Sequence, residues 1–352
     1  MGFMMLTNNI KVNQPRQSGL DILKCICAFL IVCIHAPFPG EFGKVITALA
    51  RCAVPVFFII SGYFYNTIVQ KKRENRQIKK VFLLFLVSNI IYFVFKCALN
   101  FKNFSGYICE VFNLENILDF LFFNESPFAV HLWYLGAFLY VLIIVKIFRK
   151  LNIERILFWL VPVLLVCDLI FGKYSMLIFK TEFPLVYARN FLFVGLPYFC
   201  IGEMLQKGIS NQKICFSKMT MAVFTVLFAI TTIAERYIVL GLEMGTNREH
   251  YISTTFLAVS LVLLFLNIDS NNKISTAMSD IGRRYSANIY IFHPIFIVLM
   301  DSVVKRAGVS SLYSIIKPAA VFAVTLIVLI LMSKLKEKIK KDNHVSDKHI
   351  LK

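Results

Sequence analysis

Charge is scarce in this chain, and acid is scarcer than base. Only 16% of the 352 residues are charged, with 20 Asp and Glu against 38 Lys and Arg. Soluble domains carry about 25% charged residues and about 45–50% apolar ones. A chain that is 58% hydrophobic with 35 Phe is therefore an integral membrane protein. No stretch has the length and polarity of a separate soluble domain. Walker A, GxGxxG, HExxH, GxSxG and EF-hand patterns are all missing, which leaves ATP-driven transport, metalloprotease and hydrolase-elbow readings without support. The nine Cys residues show neither CxxC nor Cys/His metal spacing. They read as buried thiols acting as small hydrophobes, and no metal site is expected. The net charge of +18 lies in short loops between apolar runs. That placement fits topology and anionic headgroups rather than nucleic acid. Met1–Ser18 is polar and lacks a cleavable signal pattern, so the first span is expected to direct insertion.

The expected fold is all-α: a polytopic transmembrane helical bundle of about ten spans. Their centres fall near 20–36, 45–65, 81–99, 132–148, 156–171, 191–205, 219–234, 252–268, 287–303 and 315–333. With both termini on one side, 25 of the Lys and Arg fall on that side and 11 on the other, so both termini are expected in the cytoplasm. The expected organisation is a cytoplasmic tail at 1–18, a transmembrane domain at 19–334 and a basic cytoplasmic tail at 335–352, in the cell membrane. The loop 100–130 is long for a membrane connection. Its apolar run Ile117–Phe123 either lies along the outer interface or covers a cavity.

The first span, Gly19–Pro37, carries Asp21, Lys24 and His35. Ionisable groups within a bilayer segment are costly and point to function. Lys24 and His35 are eleven residues apart, which returns a helix to within roughly 20° of one face and separates them by about 16 Å. Lys24 is thus expected near the cytoplasmic surface, paired with Asp21 one turn away, and His35 deep on the same stripe. Arg51 falls within the outer part of the second span and needs a partner or an aqueous cavity. Pro55 there is expected to remove a backbone hydrogen bond, and Ser61-Gly62 to permit close helix packing.

The basic run Lys71–Lys80 either anchors the chain by the positive-inside rule or clamps phosphate, for which arginine is suited by its bidentate fork. His131 opens the fourth span beside Trp133 and Tyr134, where an ordinary interfacial role competes with a catalytic one. Arg189-Asn190 before the sixth span is either a flanking anchor or an acceptor-binding pair. His293, next to Pro294, is either a hydrogen-bonded core residue or part of the site. Glu203 is expected to neutralise a nearby cation. His250, His344 and His349 sit in loops or the tail and carry no signal.

Five stretches taken together resemble the acyltransferase family 3 of bacterial membrane proteins, especially its polysaccharide O-acetyltransferase branch. They are Leu20-Asp21-x-x-Lys24-x10-His35, Val54–Tyr63, His131-Leu-Trp-Tyr-Leu135, Arg189-Asn190…Gly195-Leu-Pro197 and Ile289-Tyr-Ile-Phe-His293-Pro294. The family usually has Arg where this chain has Lys24, so the charge is kept and the bidentate fork is lost. Its RxxR feature corresponds to Arg73-x-x-Arg76 or, weakened, to Arg76-x-x-Lys79.

The resemblance implies transfer of an acetyl group from cytoplasmic acetyl-CoA to a hydroxyl of an envelope polysaccharide or lipid-linked sugar. Lys24, Arg73, Arg76, Lys79 and Lys80 would hold the CoA phosphates, with the pantetheine arm inside the bundle. His35 would be general base or acyl relay, supported by Lys24 and Asp21. Arg51, His131, Arg189, Asn190 and His293 would orient the acceptor or the oxyanion. The chain is also similar to the membrane half of vancomycin-resistance serine racemases, which implies L-serine transport as the alternative.

Overall fold

The computed structural model describes residues 17–212, 216–242 and 250–350, the side chains of 340–350 aside. The tail at 1–18 lies outside the described residues apart from Gln17 and Ser18. The architecture is all-helical. It begins with α1 (Ser18–His35), α2 (Gly40–Ala50), α3 (Ala53–Gln70) and α4 (Glu74–Leu99). The short α5 (Phe104–Val111) and α6 (Leu114–Phe122) precede α7 (Trp133–Lys150), α8 (Glu154–Phe171) and the single turn α9 (Ser175–Phe179). The chain then forms α10 (Leu196–Ser210), α11 (Lys218–Gly241), α12 (Ile252–Leu266), α13 (Lys273–Ala307) and α14 (Ser310–Ile350). Helices occupy all ten expected windows. Eight stretches among the described residues are long and apolar enough to cross a membrane. The other two windows hold α8, which carries Glu154, Arg155 and Asp168, and the short α12.

Two close crossings organise the bundle. Along α13, Ser279, Gly282, Ser286, Ile289 and His293 are buried at helical spacing. Small residues on such a stripe let two backbones approach, the usual device where lipid removes any hydrophobic drive between helices. The partner is α1. A Cβ added to Gly282 would lie 1.8 Å from the Asp21 carbonyl oxygen and 2.8 Å from the Cys25 nitrogen. The second crossing joins α3 to α10, where added Cβ atoms on Gly62 and Gly202 would lie 1.9 Å from Phe199 O and 2.0 Å from Ile59 O. Ser61 donates to its own helix, at Phe57 O, 2.8 Å away.

At the end of the bundle that holds Lys24, Arg149 of α7 pairs with Glu203 of α10 at 2.5 Å and lies over the Tyr65 ring. This is the cation expected for Glu203.

Several boundaries depart from expectation. The window 45–65 is two helices, broken at Arg51-Cys52. Pro55 therefore sits in the first turn of α3, where the missing N–H would have had no partner in any case. α13 starts fourteen residues before its apolar window, at Lys273, because its first half is polar yet capped by Asn272 and packed on α1. It runs unbroken through Pro294 and stops at Gly308, which has φ 71°. The described part of the expected tail continues α14 as helix to Ile350. The loop 100–130 folds into α5 and α6. On α6, Leu114, Ile117, Leu118, Leu121 and Phe122 are exposed at i, i+3, i+4, i+7 and i+8, an apolar face suited to the membrane interface.

Gly282→Ala is expected to lower the thermal midpoint of the purified protein by several degrees, because a Cβ against backbone cannot be relieved by a side-chain shift and overpacking costs about 1–3 kcal/mol. Gly241→Ala, with open space around it, is the control and should leave the midpoint nearly unchanged. Glu203→Gln is expected to cost about 3–5 kcal/mol by removing the buried charge that neutralises the half-buried Arg149, whereas joint replacement of both by apolar residues should cost far less. Denaturant or thermal unfolding of the single and joint variants checks this.

Candidate functional site

Three histidines from distant parts of the chain meet at one end of the bundle. His35 is the last residue of α1, His131 lies in the 3-10 turn Val130–Leu132 that leads into α7, and His293 lies in α13. Ring centroids are 5.1 Å apart for His35–His293, 5.6 Å for His131–His293 and 6.2 Å for His35–His131. The close α1–α13 crossing brings the first pair together. The third is pinned to α13 at two points: His131 Nε2 lies 3.2 Å from Ile291 O, which also accepts from the Tyr92 hydroxyl at 2.6 Å, and the Tyr290 hydroxyl donates to His131 O.

These contacts fix the tautomers. A carbonyl oxygen only accepts, so the ring nitrogen facing it carries the proton. His293 Nδ1 faces Ile289 O at 3.0 Å, which leaves Nε2 with a lone pair. That nitrogen is buried and has no hydrogen-bond partner among the described residues. His131 donates from Nε2 by the same logic and keeps its lone pair on Nδ1. His131 and His293 are 7% and 0% exposed, respectively, whereas His35 is exposed. The imidazole expected deep at position 35 is thus corrected to an exposed one at a helix end, the accessible member of a group with His131 and His293, which were expected among the acceptor-binding residues. Among the described residues no cluster of His, Cys, Asp and Glu has a metal-binding arrangement.

Lys24 pairs with Asp21 at 3.2 Å and lies 5.7 Å from the Phe64 ring centre. Between Lys24 and His35, Ala28, Ile31 and Val32 are buried in apolar packing, so the stripe of α1 that joins the two is closed. A groove of about 820 Å³ runs instead between α13 and α14, lined by Arg284, Asn288, Phe292, Met332 and Lys336. Arg73, Arg76, Lys79 and Lys80 are exposed at the start of α4. Their helix is tied to α3 by a hydrogen bond from Tyr65 to Glu74.

Arg51 lies at the break between α2 and α3, within the apolar stretch Gly40–Gln70 that is long enough to cross a membrane. It lines a cavity of about 630 Å³ whose wall includes Ile34 and Pro37, the neighbours of His35. Arg189 is half-buried, within electrostatic reach of Glu125 and Tyr290. Burial raises the Glu125 carboxyl above its ordinary range, and Arg189 opposes the shift.

Asn190 is a correction. Its Oδ1 accepts from Leu192 N at 2.9 Å and Phe193 N at 2.8 Å, and its Nδ2 donates to Val186 O and Tyr187 O. Every bonding position of the amide is used in capping, so none is left for an acceptor.

Sequence reasoning missed four groups near this end. Lys173 and Arg236 line the Arg51 cavity, and both are buried. His250 is not an idle loop residue: its Nδ1 lies 2.8 Å from Asp168 Oδ2, with both side chains buried. An Asp or an Arg inside an otherwise apolar helix was the available signal, at Asp168 in α8 and Arg236 in α11.

An amino-acid racemase of Enterococcus faecalis is 26% identical over 325 residues, covering 82% of this chain and 42% of the relative. A serine/alanine racemase of Enterococcus gallinarum is 24% identical over 276 residues, covering 71% of this chain and 37% of the relative. The chain thus spans about two fifths of the length of these relatives. No solved structure matches. Residues 17–334, nearly the whole described bundle with all three histidines, match the family model described as an acyltransferase domain, and the chain belongs to this acyltransferase-3 family.

Proposed function

We propose that this membrane acyltransferase moves an acetyl group from cytoplasmic acetyl-CoA to a hydroxyl of an envelope glycan or lipid-linked sugar. The observation that carries the reading is the meeting of His35, His131 and His293 within one group of rings. The acceptor hydroxyl attacks the thioester carbonyl while its proton passes to the accessible His35 imidazole. The tetrahedral intermediate then collapses, breaking the C–S bond, and the departing thiolate takes the proton from His35. The lone pair of His293 Nε2, beside His35, gives that proton a second resting place. The alternative chemistry, in which His35 itself takes the acetyl group and passes it on, uses the same exposed nitrogen. His131 and Arg189 are proposed to orient the acceptor or the oxyanion.

The donor phosphates are assigned to Lys24 and to Arg73, Arg76, Lys79 and Lys80. The closed packing along α1 favours the α13–α14 groove, with Arg284 and Lys336 at its charged end, as the path of the pantetheine arm.

A second reading is amino-acid transport, favoured by the relatives named as racemases, one of them for serine and alanine. The aligned region would then be a membrane part that moves the amino acid, and the Arg51 cavity would hold its carboxylate.

His35→Ala is expected to reduce acetyl transfer by at least about 10²-fold, the usual weight of a general base, while CoA still raises the thermal midpoint. Lys24→Ala is expected to weaken that CoA-dependent rise. Undiminished transfer in His35→Ala defeats the catalytic role. A thermal response to L-serine with none to CoA moves the protein to the transport reading.

His293→Asn is expected to keep the hydrogen bond to Ile289 O and hence the thermal midpoint, while transfer falls because the basic nitrogen is gone. Equal activity in wild type and variant would remove His293 from the proton path.

A further inference from the structure

The cavity beside His35 has a wall of unusual charge for an apolar protein. Arg51, Lys173, Arg236 and Lys44 line it, against Glu41 as the acid. These groups come from separate elements: the turn after α2, the segment after α8, the last turns of α11, and α2 itself. Holding several cations together inside a membrane protein is costly, so their convergence calls for an anion. Arg236 is 6% exposed, and its Nη1 is buried without a hydrogen-bond partner, although Nη2 donates to Glu41 at 2.9 Å. Lys173 is 3% exposed and held 4.5 Å over the centre of the Tyr251 ring, which also lines the cavity. A rigid aromatic support under a buried ammonium fixes where the charge is presented.

We propose that this cavity binds an anionic group, a carboxylate or a phosphate monoester, and that Arg51, Lys173 and Arg236 are the residues that select it. The fork of Arg236 supplies a directional donor and Lys173 a point charge, a combination that suits an oxyanion. The assignment of the anion to the acceptor rests on the acyl-transfer reading: an acceptor anchored here by its charge would place a hydroxyl at His35, whose neighbours Ile34 and Pro37 form the adjoining wall. The acceptor class is then an acidic or phosphorylated sugar rather than a neutral one.

The test is thermal stabilisation of the purified full-length protein in detergent, without CoA. The probes are inorganic phosphate, glucuronate, L-serine and glucose, each at matched ionic strength in chloride. The expected result is a saturable rise in midpoint with phosphate or glucuronate and none with glucose. Lys173→Gln and Arg236→Gln are each expected to weaken it at least tenfold. A response to phosphate alone identifies a phosphorylated ligand, one to glucuronate alone an acidic sugar, and one to L-serine without glucuronate an amino-acid carboxylate. Should Arg236→Gln fail to fold, Lys173→Gln and Arg51→Gln carry the comparison.

The proposal is overturned if no anion acts beyond chloride, or if the response survives in the well-folded variants. Anion binding in a protein that transfers no acetyl group leaves this site standing and removes the acyl-transfer reading. Transfer to neutral glycans without anion binding does the reverse.

Discussion

The site depends on how closely α1 and α13 can approach. With Gly282 against the Asp21 carbonyl, no side chain separates the two backbones at that level. From there the helices run to the ring contact between His35 and His293, about four turns further along α1 and about three along α13. A side chain at the crossing would have to push the axes apart, and rings in contact at 5.1 Å have little slack to absorb that. The same close approach buries Asp21 beside Lys24. One packing device thus sets both the cationic end of α1 and its histidine end.

Much of the bundle was legible because bilayer spans are written in long apolar runs. All ten windows hold helices, and the three site histidines stand out in the sequence as ionisable residues beside or within such runs. What the sequence hid follows from what hydropathy cannot see. The start of α13 at Lys273 is polar and amphipathic, so its helical character shows only in the Asn272 cap and the Ser279–Gly282–Ser286 stripe. The break at Arg51-Cys52 has no glycine or proline of its own to announce it. Pro55 is a helix-start residue three positions later, and it looks the same in sequence as a mid-helix kink.

The tertiary partners were less accessible still. Nothing local says that His250 will face Asp168, 82 residues earlier, or that Glu41 will meet Arg236, 195 residues later. Asn190 illustrates the opposite error. An Arg-Asn pair before a span reads as well for ligand binding as for capping, and only the four hydrogen bonds of its amide decide for capping. Spacing correctly placed Lys24 and His35 on one stripe of α1, but it could not tell whether that stripe faced a channel or a packed neighbour.

The cations around the Arg51 cavity also have a structural reason to be there, and its size bears on what they can bind. The C-termini of α1, α2, α8 and α11 all contribute to that region. Each helix C-terminus presents the equivalent of about half a negative charge. Four such ends together with Glu41 offset roughly three of the four positive charges on the wall. The N-terminus of α12, which would add positive character, is instead capped by Glu235 through Ile252 N at 2.8 Å and Ser253 N at 3.1 Å. The N-terminus of α2 at Gly40 and Glu41 also lines the cavity and adds about half a positive charge, so the lining groups keep a surplus of about one to two positive charges rather than four. That is enough to favour an oxyanion over a neutral group, and it suits a carboxylate or a phosphate monoester, whose charge at neutral pH lies between about one and two negative units.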